Sequence, residues 1–198
     1  MASKIKVDTL ETANGSGTIA LSNQLSGMTT ASLPALGSAQ MPTGSVLQVK
    51  SFAFTGDSST TVQDNTFADS GLTINITPTS SSSKILVMAS IGKIGSVTAG
   101  TMYNLRIVRG TTNILLGVAA SARTLASAGG ATTLTGEGHS VTMNYLDSPA
   151  TTSATTYKVT YSGNGGEVVS INYTRNDDNS DAPSARVAST ITVMEIGA

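Results

Sequence analysis

The chain has 198 residues, of which only 12% are charged and 4% aromatic, and its formal net charge is −1. It contains 27 serines and 30 threonines, so hydroxyl groups must cover most of the surface, which suits strands and turns better than charged helices. The few Lys and Arg residues are scattered, which argues against a nucleic-acid partner and against an anionic membrane surface. The absence of cysteine excludes disulfides and thiolate metal sites. We expect neither a secretory signal nor membrane insertion, because no apolar run is long enough.

The first part of the chain is unusually poor in charge. Residues 12–49 contain no Asp, Glu, Lys or Arg. Fixing roughly 40 residues costs on the order of 40–80 kcal/mol, whereas burying ten medium apolar side chains returns only about 15–30 kcal/mol. We therefore predict that residues 1–44 form an extended arm or short shaft that becomes ordered on assembly. Within it, residues 5–7 and 18–21 have short strand patterns on either side of a Gly-rich turn.

From residue 45 onward the sequence predicts a second unit, a head built from strands. Short runs rich in β-branched and aromatic residues recur between turn residues, at residues 46–54, 72–77, 84–91, 102–108, 113–118, 139–146, 156–161, 168–174 and 189–196. Nine short strands at this spacing indicate an all-β sandwich of jelly-roll type over residues 45–198.

Two of these strands carry different patterns. Near the end of the chain, Ile191 and Val193 alternate with Thr192 and Met194, as in a strand with one buried face. Residues 84–89 are instead apolar on both faces. We expect that strand to be covered on one side by the second sheet and on the other by another subunit.

Three turns follow from the positions of Gly, Asn and Asp. They lie at residues 109–111, 163–166 and 176–179. The Gly-rich segment 163–166 resembles an anion-binding loop only superficially, because no Lys-Ser or Lys-Thr follows it. We predict a hairpin turn there.

The single histidine, His139, limits the catalytic alternatives. A Ser-His-Asp triad would have to use it, and a Cys-His pair is excluded. Its place at the start of a predicted strand favours a structural role. Three copies of His139 on a threefold axis would be an alternative, intersubunit metal site.

The carboxylates offer two further alternatives. Asp177, Asn179 and Asp181 have the alternate spacing of a calcium loop, but Ala182 stands where such a loop needs Gly, so an acidic hairpin tip is favoured. A paired-carboxylate glycosidase could draw on Asp147, Glu167, Asp177, Asp178 or Asp181. The chain has no Trp to stack on a sugar ring, and we expect no enzyme activity, no cofactor and no metal.

Candidate contact regions are harder to rank from sequence. The five tyrosines all lie within predicted strands, which favours packing in the core or at a subunit interface over receptor binding; they are Tyr103, Tyr145, Tyr157, Tyr161 and Tyr173. A receptor surface would instead use loops, which vary at little cost to the scaffold. The candidate loops are residues 92–101, 119–137 and 176–185.

Two ends of the chain resemble a known family. At the N-terminal end these are residues 3–12 (SKIKVDTLET) and 17–24 (GTIALSNQ), and at the C-terminal end residues 147–149 (DSP), 155–159 (TTYKV), 169–172 (VSIN) and 189–196 (STITVMEI). Together they resemble small fibre-like structural proteins of tailed bacteriophages of marine bacteria, tail fibres or decorations with a tumour-necrosis-factor-like jelly-roll head. The resemblance implies a homotrimer in the virion that is anchored to other virion proteins by its N-terminal arm.

The expected function is that of a structural virion protein whose head attaches to the host surface, to a glycan or a protein. Two alternatives remain at this point. One is a fibre that decorates the capsid or neck, and the other is a tailspike that cleaves surface glycans.

Overall fold

The computed structural model describes residue 37, residues 41–173 and residues 185–198. Within these ranges the chain forms eleven strands and no helix, so no described helix is long and apolar enough to cross a membrane. In chain order the strands are β1 (Val46–Phe54), β2 (Ser58–Thr60), β3 (Ala68–Ile76), β4 (Lys84–Ser96), β5 (Met102–Arg109), β6 (Thr112–Ile114), β7 (Ala128–Ala131), β8 (Gly138–Asp147), β9 (Thr155–Ser162), β10 (Val169–Ile171) and β11 (Ser189–Ile196). The fold is all-β, as the sequence predicts.

The strands form two antiparallel sheets. The six-stranded sheet has the order β1-β11-β4-β10-β2, with β8 also paired to β4. Along one edge of β4 runs β8; along the other, β11 pairs with the first half of β4 and β10 with its last three residues. The five-stranded sheet has the order β3-β9-β5-β6, with β7 also paired to β5.

The hydrophobic core lies between the two sheets. Alternate residues of β4 enter it, and the predicted alternation in β11 is confirmed, because Ile191 and Val193 are fully buried. Three tyrosines also belong to the core, Tyr103, Tyr157 and Tyr161. Tyr145 packs against its margin, whereas Tyr173 lies just beyond β10. Burial raises the pKa of Tyr161 to about 12, even though its hydroxyl lies 2.8 Å from that of Ser58.

Most predicted strands are present, with differences at their ends. β1 and β11 have the predicted bounds, and β4 continues five residues further, to Ser96. β6 ends early because Leu115 takes a left-handed conformation (φ 55°), which leaves the extended region. The sequence analysis misses β2 and β7, since both are short and consist only of Ser and Thr or of Ala and Gly.

The predicted turn at residues 109–111 is confirmed, whereas the predicted hairpin at residues 163–166 is wrong. β5 and β6 pair across Gly110, which has a φ of 56°. Residues 163–166 do not form a hairpin, because β9 belongs to the five-stranded sheet and β10 to the six-stranded one. This segment crosses from one sheet to the other.

Several predictions concern residues outside the described ranges. Nearly all of the arm, residues 1–44, lies there, with its two short strand patterns. So do the turn at residues 176–179 and the acidic residues Asp177, Asp178 and Asp181. These predictions, and the trimer, stay predictions.

A buried carboxylate ties β1 and β11 to the loop between β3 and β4. Glu195 is fully buried; its Oε2 accepts a hydrogen bond from Gln48 Nε2 (2.6 Å) and its Oε1 accepts two from Thr79, from N and Oγ1 (2.7 Å each). Burial alone would raise the pKa of Glu195, but hydrogen bonds from Gln48 and Thr79 outweigh it and lower the pKa below 4.5.

The lowered pKa of Glu195 predicts a loss of stability in acid. The Glu195 carboxylate binds a proton less readily in the folded chain than in the unfolded chain. Its contribution to stability is therefore complete above the pKa that Glu195 has in the unfolded chain, and it is lost as the pH falls through the lower pKa of the folded chain. Urea unfolding between pH 7 and pH 3 should show a shallower acid decline in Glu195→Gln than in the parent. Equal declines would contradict this assignment.

A second cluster joins the two sheets. Nη1 of Arg109, on β5, donates to both carboxylate oxygens of Asp147, on β8 (2.8 Å each), and the hydroxyl of Tyr157, on β9, donates to Asp147 Oδ2 (2.6 Å). Burial, and then the hydrogen bond to Asp147, raises the pKa of Tyr157 well above its usual range. Asp147 is therefore a structural link between the sheets.

Removing this link should cost substantial stability. We expect Asp147→Ala to lower the free energy of unfolding by about 2–4 kcal/mol, since it leaves a buried hydroxyl and a half-buried guanidinium without their acceptor. The control is Asp69→Ala, which removes an exposed partner of Lys158 and should cost less than about 1 kcal/mol. Equal losses in denaturant titrations would show that the Asp147 cluster contributes no special stability.

Candidate functional site: a loop surface at the distal end

The six-stranded sheet has two distinct ends. At one end, here called the base, the backbone N of Gly44 donates to Gly197 O (2.7 Å) and the N of Gly197 donates to Ser45 O (2.9 Å). β4 begins there and runs for 13 residues, about 40 Å, to the opposite end. The residues that precede β1 therefore join the sandwich at the base.

Three loops meet at the opposite, distal end. They are residues 97–101 between β4 and β5, residues 132–137 between β7 and β8, and residues 163–168 between β9 and β10. We call these loops together the distal surface. Residues 97–101 and 132–137 lie within two loops that are candidates for receptor contact from the sequence. In the third loop, the sequence predicts only a turn, at residues 163–166.

Hydrogen bonds fix these loops to one another. Thr98 Oγ1 donates to Glu167 Oε2 (2.6 Å), and Thr132 Oγ1 donates to the carbonyl oxygen of Thr98 (3.0 Å). The side-chain oxygen of Asn164 accepts from the backbone N of Met102. Each loop is thus bonded to a neighbour, which reduces the entropy that a partner would have to remove on binding.

The turn before β8 is held by its own carboxylate. Oε2 of Glu137 accepts from the backbone N and the hydroxyl of Thr133 and from the N of Leu134 (3.0 Å). The bond from Leu134, followed by those from Thr133, lowers the pKa of Glu137. Burial raises the pKa of the neighbouring Tyr103, and the negative charge of Glu137 raises it further.

Large apolar side chains are exposed around these loops. Leu134 is 69% exposed, Met102 57%, Val97 38% and Val168 36%. Val97 follows Ser96 and Val168 precedes Val169, and these two residues are the last pair between β4 and β10. Exposed apolar side chains on pre-ordered loops are typical of contact surfaces.

A cleft lies beside Met102. It encloses about 490 Å³ and is lined by Asp64, Met102, Asn104, Arg123, Thr124, Gly163 and Asn164. The adjoining turn needs left-handed backbone at Gly165 (φ 66°) and Gly166 (φ 74°), which glycine adopts without strain. The cleft offers a carboxylate, a guanidinium and two amides.

His139 also lies near this end, as the second residue of β8. Its Nε2 is 3.6 Å from Glu137 Oε1 and makes no hydrogen bond within the described part of the chain, and its ring centroid is 6.0 Å from that of Tyr103. Among the described residues no group of three or more His, Cys, Asp or Glu side chains is placed to hold a metal ion.

The structure separates the two described members of the predicted glycosidase set. Asp147 pairs opposite Ile85 at the base, whereas Glu167 lies at the distal end beyond Ser96. Eleven residues of β4 separate those levels, about 35 Å, and a glycosidase pair needs at most about 9.5 Å. Asp147 and Glu167 therefore do not act together on one glycosidic bond.

Comparisons with known proteins give distant similarities. No family model and no curated protein matches the chain. Among solved structures, the chain is similar to the infectious bursal virus-derived T = 1 particle (14% identity, TM-score 0.40, covering 83% of this chain and 44% of that chain). It is also similar to the structure of infectious bursal disease virus Gt strain, with 16% identity and a TM-score of 0.39 over 84% of this chain and 43% of that chain. A third similar structure is the VP2 subviral particle of that virus, with 14% identity and a TM-score of 0.36 over 83% of this chain and 46% of that chain. The chain spans less than half the length of these viral structural proteins.

The role of Glu137 in ordering the distal surface can be tested by hydrogen exchange. We expect Glu137→Ala to speed exchange of the Thr133 and Leu134 amides at least about tenfold, with little change in Tm, because only one loop loses its bonds. Thr135→Ala, an exposed change in the same loop, is the control. Unchanged exchange in Glu137→Ala would mean that the loop is held by other contacts.

Proposed function

We propose that this chain is a non-catalytic structural protein of a tailed-bacteriophage virion, a fibre-like homotrimer. Residues 1–44 anchor it to other virion proteins, and the jelly-roll head, residues 45–198, attaches to the host surface. Its sequence resemblance to phage fibre proteins suggests the particle. The observation that carries the proposal is the polarity of the sandwich, because the anchoring segment joins at the base and the distal surface lies about 40 Å away.

This polarity suits a protein that connects a particle to a cell. Residues 44 and 45, which lead into β1, lie at the base, and the strand β4 runs from there to the distal loops. Because the loops are hydrogen-bonded to one another, they lose little conformational entropy when they bind a receptor. Three heads on one anchor would also rebind at high effective concentration, which strengthens weak contacts.

The distal surface favours a protein component of the host envelope over a bare glycan. Its exposed Leu134 and the exposed Met102, which starts β5 and lines the adjoining cleft, can be buried against apolar groups, and interface centres are enriched in Met. The cleft beside Met102 adds Asp64 and Arg123, which can fix orientation through charged hydrogen bonds.

Adsorption of phage particles tests the proposal. We expect particles carrying Leu134→Asp to adsorb to host cells at least about tenfold more slowly, because a carboxylate would be buried against the receptor. The matched control is Val118→Asp, which makes the same kind of change at a 94% exposed side chain outside the distal surface.

Both kinds of particle must first be shown to contain the protein, by gold labelling of a tagged chain. Normal adsorption by loaded Leu134→Asp particles would contradict the attachment role and leave a capsid or neck decoration. Failure to find the protein on wild-type particles would contradict the virion role itself.

A further inference from the structure

Two loops flank one pair of strands on the five-stranded sheet. Residues 61–67 lead into β3, which borders β9, and residues 115–127 lead into β7, which borders β5. The guanidinium of Arg106, on β5, lies 3.7 Å from the ring centre of Phe67 in the first loop, and its Nε donates to Leu125 O (2.7 Å) in the second. The two loops therefore form opposite walls over β5 and β9, and the cleft of about 490 Å³ lies between them.

The floor of this cleft is the outer face of β5 and β9. Asn104 lines the cleft and pairs with Ser162, so both side chains lie on the same side of the sheet. The next pair, Leu105 and Tyr161, is buried on the core side.

Ser162 is an unusual residue to find beneath a cleft. It is fully buried, and its hydroxyl makes no hydrogen bond within the described part of the chain. Buried hydroxyls are nearly always hydrogen-bonded. An unpartnered hydroxyl at this place therefore points to a polar group that comes from outside the described residues.

Hydrogen bonds hold one wall of the cleft in place. The backbone N of Gly163 donates to Val62 O (2.8 Å), and the N of Thr66 closes a turn on Gln63 O (3.1 Å). Asp64 lies inside that turn with a left-handed φ of 60°, a conformation that Asp tolerates better than most residues. The turn thus presents the Asp64 carboxylate to the cleft.

Two opposite charges line the cleft without a partner. Asp64 stands on one wall and Arg123 on the other, and among the described residues neither side chain makes an ion pair or a hydrogen bond. The amides of Asn104 and Asn164 lie between them. Asn164 Oδ1 already accepts from the backbone N of Met102, which leaves its NH₂ group to donate.

We infer that this cleft binds the zwitterion of a free α-amino acid. The carboxylate of such a ligand would accept paired hydrogen bonds from Arg123, and its ammonium group would donate to Asp64. The cleft holds one charge of each sign, as the zwitterion does, so binding would leave no charge unpaired. A neutral saccharide would offer neither Asp64 nor Arg123 a counter-charge.

The size of the cleft and its apolar part indicate the kind of amino acid. About 490 Å³ falls within the range of roughly 300–1,000 Å³ that small-molecule sites occupy. Met102 lines the cleft and is 57% exposed, and its flexible unbranched chain adapts to apolar groups. We therefore expect an aliphatic side chain on the ligand. The inference goes beyond the proposed function, because the chain would bind the amino acid whether or not its head attaches to cells.

Calorimetric titration of the full-length chain tests this inference with L-leucine and two analogues that each lack one charge. We expect L-leucine to bind with a Kd near or below about 1 mM. Leucinamide has no carboxylate and isocaproate has no ammonium group, so each should bind at least about tenfold more weakly than L-leucine.

Variants of the two walls assign each charge to its partner. Arg123→Gln should weaken L-leucine binding at least about tenfold and leave leucinamide binding unchanged, because that analogue has no carboxylate to lose. Asp64→Asn should weaken L-leucine binding similarly and leave isocaproate binding unchanged. The control is Lys84→Gln, which removes an exposed positive charge at the base and should bind L-leucine as the parent does.

The contrary outcomes are equally specific. No heat of binding at about 10 mM L-leucine would overturn the amino-acid site, and so would equal binding of L-leucine and both analogues. L-leucine binding that both Arg123→Gln and Asp64→Asn leave intact would place the ligand elsewhere. Binding of glucose that Arg123→Gln does not alter would show a saccharide site instead. None of these results alters the adsorption experiment on intact particles, which tests the proposed function.

Discussion

The rest of the structure depends on the pairing of β4. This strand is paired over most of its length, by β8 on one edge and by β11 and then β10 on the other, with a shift of register to β8 between Ile91 and Ile94. A strand held on both edges has few unsatisfied backbone groups and little freedom to slip in register. Because β4 reaches from the base to the distal end, it fixes the distance between the base and the distal loops.

The few charges of this chain are used at specific junctions. Asp147 links the two sheets through Arg109 and Tyr157, Glu195 ties β1 and β11 to the loop before β4, and Glu137 holds the turn before β8. In each case one carboxylate accepts several hydrogen bonds from residues of other strands, of a loop or of its own turn.

The proposed attachment surface lies at the end of the sandwich opposite the base. A surface at that end suits multivalent attachment, since linked weak sites bind together more strongly than each one alone.

The sequence by itself determined the all-β class and most strands, because side-chain alternation reports which face of a strand meets the core. It also showed that residues 84–89 carry apolar side chains on both faces of their strand. It could not find β2 or β7, whose Ser, Thr, Ala and Gly residues have no such pattern. Only the tertiary structure decided that residues 163–168 cross between sheets and join residues 97–101 and 132–137, and that Asp64 and Arg123 line one cleft. The physical reason is that pairing between distant strands depends on the register of the whole sheet, which no local run of residues encodes.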